Sequence, residues 1–143
     1  MPVMDAGLQA TLALARLRDG QLLGAIDNAE RAEVLARPYR LVQPIAALAR
    51  AETLLALGDD AEGRLQLDRA ISLARAAKIR PVLIPALRRR AHLSGDPSSA
   101  NEDHRTARQI VLQLANSFSP ADRAQFLAHS PLAAGMDISA SPL

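Results

Sequence analysis

Three glycine-anchored turns, each followed at the same distances by small residues, constrain this chain more than any other feature. Asp19-Gly20 is followed by Ala25 and Ala32, Gly58-Asp59 by Gly63 and Ala70, and Gly95-Asp96 by Ala100 and Ala107. In every copy a small residue stands five positions after the glycine and an alanine seven positions further on. The turn glycines recur 38 and then 37 residues apart. A fixed period of this length, built on small side chains at helical spacing, is the signature of stacked helix pairs that bury their apolar faces against one another. The chain therefore reads as a binding scaffold first.

Its 143 residues suit one compact domain or a short solenoid, since domains commonly run about 100–150 residues. Hydrophobic residues make up 49% of the chain but aromatics only 2%, so the core has to be built from Ala, Leu, Ile and Val. Helices drawn together through alanine fit that supply. Cysteine is absent, which excludes disulfides, thiolate metal sites and cysteine nucleophiles and fits a reducing compartment; the expected location is cytoplasmic. No window approaches the roughly 18 apolar residues of a membrane span, and Met1-Pro2-Val3-Met4-Asp5 lacks the order of a signal peptide. The pI of 9.9 overstates the charge, because the net value is only +2 and Lys78 is the sole lysine among 17 basic residues. An arginine bias of that kind also arises from a GC-rich coding genome, so it carries no weight for nucleic acid.

Periodicity predicts helices over about Ala6–Arg18 and Leu22–Ala36, the second carrying a small-residue stripe of Ala25, Ala29, Ala32 and Ala36. A third is expected from about Arg40 to Leu57, with Pro44 in its first turn. Asp59, with Glu62 three residues on, forms a capping box for a fourth, whose apolar face is Leu67, Ala70, Ile71 and Ala74. Pro81 opens a fifth helix, with Pro85 also in the first turn. Ser99 and Glu102 repeat the capping box before a sixth, striped by Ala107, Ile110, Val111 and Leu114. Ser119-Pro120 starts a short seventh helix to about Ala128, and residues 130–143, which have no period, read as a disordered tail. No strand pattern occurs, so the fold class is all-α.

These repeats resemble tetratricopeptide repeats, with Ala51, Leu54, Leu57, Gly58, Asp59, Leu67 and Ala70 of the middle copy falling where that family places packing and turn residues. The period exceeds the usual 34 residues, Gly63 replaces an alanine, the large aromatics are missing, and Arg88 stands at a usually small position. Longer, aromatic-poor repeats of this kind look like those in the C-terminal regions of large bacterial signalling ATPases, adenylate-cyclase-like proteins and transcriptional regulators. The resemblance implies a short right-handed solenoid over residues 1–129, with repeats at about 6–37, 40–78 and 81–118 and a capping helix at 120–128. It also implies a concave groove lined by the first helix of each pair: Leu14, Leu17 and Arg18, then Ile45, Leu48, Glu52 and Leu55, then Val82, Arg89 and His92. An apolar floor with charges of both signs suits a peptide or helix segment.

Other chemistry has little foothold. His92, His104 and His129 are 12 and 25 residues apart, without the three- or four-residue spacing that puts two ligands on one helix face, so no metal is expected. His104 is expected near a helix-crossing surface and His92 near a helix end. The carboxylates Asp27, Glu30 and Glu33 read as surface charge beside Arg31 and Arg37, with Glu33-Arg37 in the stabilising order. No nucleophile elbow or phosphate-binding glycine loop occurs, so neither an enzyme nor a cofactor is expected. Arg75, Lys78, Arg80, Arg88, Arg89 and Arg90 form the densest basic feature and read first as a solvated helix face, with an acidic peptide or nucleic acid as the functional alternative.

Three functional expectations follow. The first is a noncatalytic interaction module binding a peptide or partner domain. The second is the C-terminal sensor region of a larger bacterial signalling ATPase or transcriptional regulator, suggested by the apolar Leu8, Leu12 and Leu14 of the first helix, which upstream parts of the same chain or a second copy in a homodimer would cover. The third is a helical nucleic-acid binder using residues 75–90.

Overall fold

The computed structural model describes residues 1–136. They form seven helices and no strand: α1 (Pro2–Arg18), α2 (Leu22–Ala36), α3 (Gln43–Ala56), α4 (Asp60–Ala77), α5 (Arg80–Leu93), α6 (Pro97–Asn116) and α7 (Pro120–His129). None of these is long and apolar enough to cross a membrane. Two compact units are present, Met1–Ala86 and a second beginning at Leu87, and the division falls within α5.

In the first unit α1 packs on α2, α3 on α4, and α3 also meets both α1 and α2. The contacts are made by alanine. Ala6, Ala10 and Ala13 of α1, Ala29, Ala32 and Ala36 of α2, and Ala46 and Ala49 of α3 form one buried cluster, flanked by the half-buried Leu14, Leu35, Val42 and Ile45. Small side chains let helix backbones approach until the atoms of one fill the grooves of the next, and dispersion then accumulates over many weak contacts. Every residue of the expected stripes on α2 and α4 is buried.

The first two turn glycines act alike. Gly20 and Gly58 take φ of +75° and +83°, a left-handed conformation that costs glycine no Cβ clash. Each closes its helix with the same pair of bonds: Gly20 N–H to Leu17 O and Gln21 N–H to Arg16 O, then Gly58 N–H to Leu55 O and Asp59 N–H to Leu54 O. The end of α4 repeats this closure without glycine, since Lys78 has φ of 57° and Lys78 and Ile79 donate to Arg75 and Ala74. The third expected turn differs. Gly95 is not left-handed, and the connection is organised by Asp96, whose carboxylate accepts from the Ser98 and Ser99 N–H groups and the Ser99 hydroxyl. Hydrogen bonds to the Ser99 side chain first, and to the two backbone amides next, hold the Asp96 carboxyl below its ordinary range.

Several boundaries depart from the sequence reading. α1 begins at Pro2 rather than Ala6, because proline fits the first turn and Met1 O accepts from Asp5 N–H. α3 begins at Gln43 rather than Arg40, since Tyr39 O takes the Val42 and Gln43 N–H groups in a preceding turn. Asp96, not Ser99, caps α6, which starts three residues earlier than a Ser99 cap allows. Pro85 lies inside α5 rather than in its first turn, so the helix forgoes the bond that a residue there would donate to Pro81 O. Burial of Leu83, Ile84, Ala86 and Leu87 offsets that loss. Asp59 and Ser119 cap α4 and α7 as expected, each accepting from the N–H three residues on.

In the second unit α6 packs on α7 and buries Ala107, Val111 and Ala115, while Ile110 and Leu114 are half-buried at the edge of that stripe. Phe118 and Phe126 meet with ring centroids 5.4 Å apart. Residues 130–136, expected in a disordered tail, form turns with Ala133 buried. Arg88 holds them by donating to Leu132 O at 3.4 Å and Ala134 O at 2.5 Å. The remainder of the expected tail, residues 137–143, lies outside the described residues.

Gly63 shows why the second copy carries glycine where the repeat pattern has alanine. A Cβ there would sit 2.8 Å from both Cγ and Cδ2 of Leu55 and 3.2 Å from the Leu55 backbone nitrogen, so α3 and α4 could not stay as close. Gly63→Ala should lower stability by about 1 kcal/mol, overpacking outweighing alanine's better helix propensity. Gly7→Ala in α1, where a Cβ would meet nothing within 4 Å, should raise it by about 0.5–1 kcal/mol. Urea denaturation of the two variants measures both signs.

Candidate functional site

The residues expected to line a groove occupy varied environments. Leu48 and Val82 are buried in the core, each 6% exposed, and offer no surface to a ligand. Leu14 and Ile45 pack against the alanine cluster, and Leu55 lies over Gly63. Leu17 and Glu52 are half-buried, whereas Arg18 is exposed. Arg89 and His92 belong to the second unit; Arg89 is half-buried and His92 exposed in the last turn of α5. Leu14, Leu48 and Leu55 thus contribute to the packing of the first unit.

The surface that does open in the first unit lies between α1 and α2. A cleft of about 450 Å³ is lined by Asp5, Gln9, Asp27, Glu30, Val34 and Arg31, with Leu35 beneath. Val34 is 57% exposed, an apolar foothold among charges. Three carboxylates and one guanidinium stand among the lining residues. Asp27 pairs with Arg31 at 3.9 Å and Glu30 with Arg50 of α3 at 3.3 Å, while Asp5 makes no ion pair among the described residues. Beside the cleft the buried Asn28 amide donates to Gln9 Oε1, and Asn28 Oδ1 is buried without a partner.

The charge pattern of α2 also differs from expectation. Glu33 pairs across helices, with Arg50 of α3 at 3.8 Å and Arg69 of α4 at 3.7 Å, rather than along its own helix with Arg37. Arg37 instead lends its backbone carbonyl to Gln43 Nε2. Such exposed pairs contribute at most about 1 kcal/mol each, but together they link α2, α3 and α4 along one charged ridge.

The arginine triplet is not a solvated face. Arg88, Arg89 and Arg90 are all half-buried. Arg88 binds the carbonyls of the 130–136 segment, and Arg90 makes a two-pronged bond with Asp103 of α6, at 2.7 Å from Nε and 2.8 Å from Nη2. Asp103 is 7% exposed, so that guanidinium fork takes the place of water around its carboxylate. Arg75, Lys78 and Arg80 are exposed but lie in the first unit. Arg88 and Arg90 are therefore committed to the fold's own acceptors. The sequence signal that escaped notice is on α6, where Asn101, His104, Arg105 and Arg108 share one face at helical spacing and His104 is exposed rather than set in a helix crossing.

No cluster of three or more His, Asp or Glu side chains among the described residues is placed to hold a metal ion. The chain matches no family model, no curated protein and no solved structure. The likeness to tetratricopeptide repeats rests on its own turn glycines and alanine stripes.

Removing Arg90 strands a buried carboxylate. Arg90→Leu should cost about 2–4 kcal/mol, and Arg90→Leu with Asp103→Leu should recover most of the loss, because an apolar pair carries no desolvated charge. Chemical denaturation of the two single variants and the double variant gives the coupling directly; purely additive losses would contradict it.

Proposed function

We propose that the chain is a noncatalytic protein-interaction module, a tetratricopeptide-type right-handed stack of helix pairs working in the cytoplasm. The ligand is a basic peptide segment of a partner protein. The observation that carries this reading is the α1–α2 cleft, in which Asp5, Asp27 and Glu30 surround the exposed Val34, with Asp27 paired to Arg31, Glu30 to Arg50, and Asp5 in no ion pair among the described residues. An apolar anchor would seat on Val34 and Leu35, giving burial energy. Lysine or arginine on either side would meet the carboxylates, giving register and orientation. The cross-helix pairs of Arg50 and Arg69 keep Glu30 and Glu33 in place, so the charged rim is organised before a ligand arrives.

A second reading places the same helices in the C-terminal region of a larger bacterial signalling ATPase or transcriptional regulator. It is favoured by the exposed Met1, Met4, Leu8 and Leu12, which share the side of α1 opposite its buried alanines. An apolar stripe on a helix whose other face is already packed calls for cover by a further helix or a second copy.

The first reading is tested by titrating basic, neutral and acidic peptides, each with one leucine anchor, into the wild-type chain and an Asp5→Lys, Glu30→Lys variant shown by circular dichroism to stay helical. The basic peptide should bind best, and the variant should weaken it by about tenfold or more, equivalent to about 1.4 kcal/mol. Binding indifferent to peptide charge, or unchanged in the variant, would reject the cleft as the site.

A further inference from the structure

The second unit holds a cavity of opposite character. Its volume is about 610 Å³, and its lining includes Arg88, Asn101, His104, Arg105, Arg108 and Gly135. Among the described residues no aspartate or glutamate contributes to that lining. Of the two nearest carboxylates in sequence, one is occupied elsewhere and the other reaches a lining arginine only at long range. Asp103 is bound to Arg90, and Glu102 makes a long contact of 3.9 Å with Arg105 in which both side chains are well exposed.

Arg108 is the informative residue. It is half-buried, and its Nε and Nη2 atoms are shielded from water with no hydrogen-bond partner among the described residues. A guanidinium is always charged and offers a fixed fork of donors. Withdrawing that fork from water without an acceptor is costly, and an anion in the cavity would remove the cost. Arg88 is fixed beforehand, since its Nη atoms donate to Leu132 O and Ala134 O. Gly135 permits this arrangement: its φ is +73°, and a Cβ there would stand 3.3 Å from Arg88 Nη2. His104 and Arg105 are exposed and stand at the rim.

We propose that this cavity is a binding site for a small phosphate monoester. Three guanidinium groups line the cavity, and among the described residues the exposed Glu102 approaches one of them, Arg105, only at 3.9 Å; this excess of positive charge calls for more than one negative charge, and a phosphate dianion supplies it with oxygens matched to the arginine fork. The volume falls within the roughly 300–1,000 Å³ typical of small-molecule sites, so the phosphate carries an organic group rather than entering alone. Arg108 binds the phosphate, Arg88 adds charge from a fixed position, and Asn101 and His104 contact the ester portion at the rim.

Isothermal titration of inorganic phosphate and of phenyl phosphate, in a buffer free of other multivalent anions, tests the assignment on the full chain. Both should bind with one-to-one stoichiometry, and Arg108→Gln should weaken each by about tenfold or more, the effect of losing a charge-assisted pair. Without ligand, the melting temperature of Arg108→Gln should equal or exceed that of the wild type, because a desolvated unpaired charge has been removed. Equal binding by both proteins, absence of phosphate binding, or exclusion of phenyl phosphate would overturn the proposal. A marked fall in the melting temperature would also overturn it, by showing that Arg108 already has a structural partner.

Discussion

The first unit depends on how closely its helices can approach, and alanine sets that distance. A single buried methyl contributes little, roughly 0.8 kcal/mol per buried carbon of this kind. A core with few aromatics therefore needs many contacts at optimal separation. Ala6, Ala10 and Ala13 against Ala29, Ala32 and Ala36, with Ala46 and Ala49 beside them, supply these contacts because nothing larger holds the backbones apart. The left-handed glycines after α1 and α3 serve the same end, reversing the chain in few residues so that consecutive helices can pack along their lengths. Gly63 is the extreme case, where even alanine would be too large.

What was legible in the sequence was what depends on local chemistry. The stripes Ala25-Ala29-Ala32-Ala36 and Leu67-Ala70-Ile71-Ala74 stand out because burial of one helix face imposes the helical period, and both stripes are buried throughout. The Asp59 and Ser119 caps were legible because an N-cap side chain bonds an amide only three residues away. The departures arise where one residue type serves two outcomes. Gly95 matches Gly20 and Gly58 in spacing, yet Asp96 satisfies the start of α6 without a left-handed glycine. Lys78 closes α4 as glycine closes α1 and α3, a role its side chain does not advertise. Pro85 sits within α5 because the residues around it are buried.

The surfaces were less legible than the core, because side-chain partners across a fold are set by distances that spacing alone does not encode. Glu33 had a good partner four residues on in Arg37 but pairs with Arg50 and Arg69. Arg90 looked like one of three equivalent cations and is the counterion of a buried aspartate. The net charge of +2 conceals a difference in kind: carboxylates line the α1–α2 cleft, while among the described residues arginines and no carboxylate line the cavity of the second unit.

The dependence of the first unit on alanine-mediated contact is tested most directly by native-state hydrogen exchange resolved by residue. Amides exchange slowly where opening requires the largest cooperative loss of packing. If the alanine crossings hold the unit together, the slowest amides within Met1–Ala86 will be those at and around Ala10, Ala13, Ala29, Ala32, Ala46 and Ala49, with protection close to the full unfolding free energy. Rapid exchange through α1 and α2, with the slowest amides confined to the leucine- and isoleucine-bearing stretches of α4 and α5, would contradict that dependence.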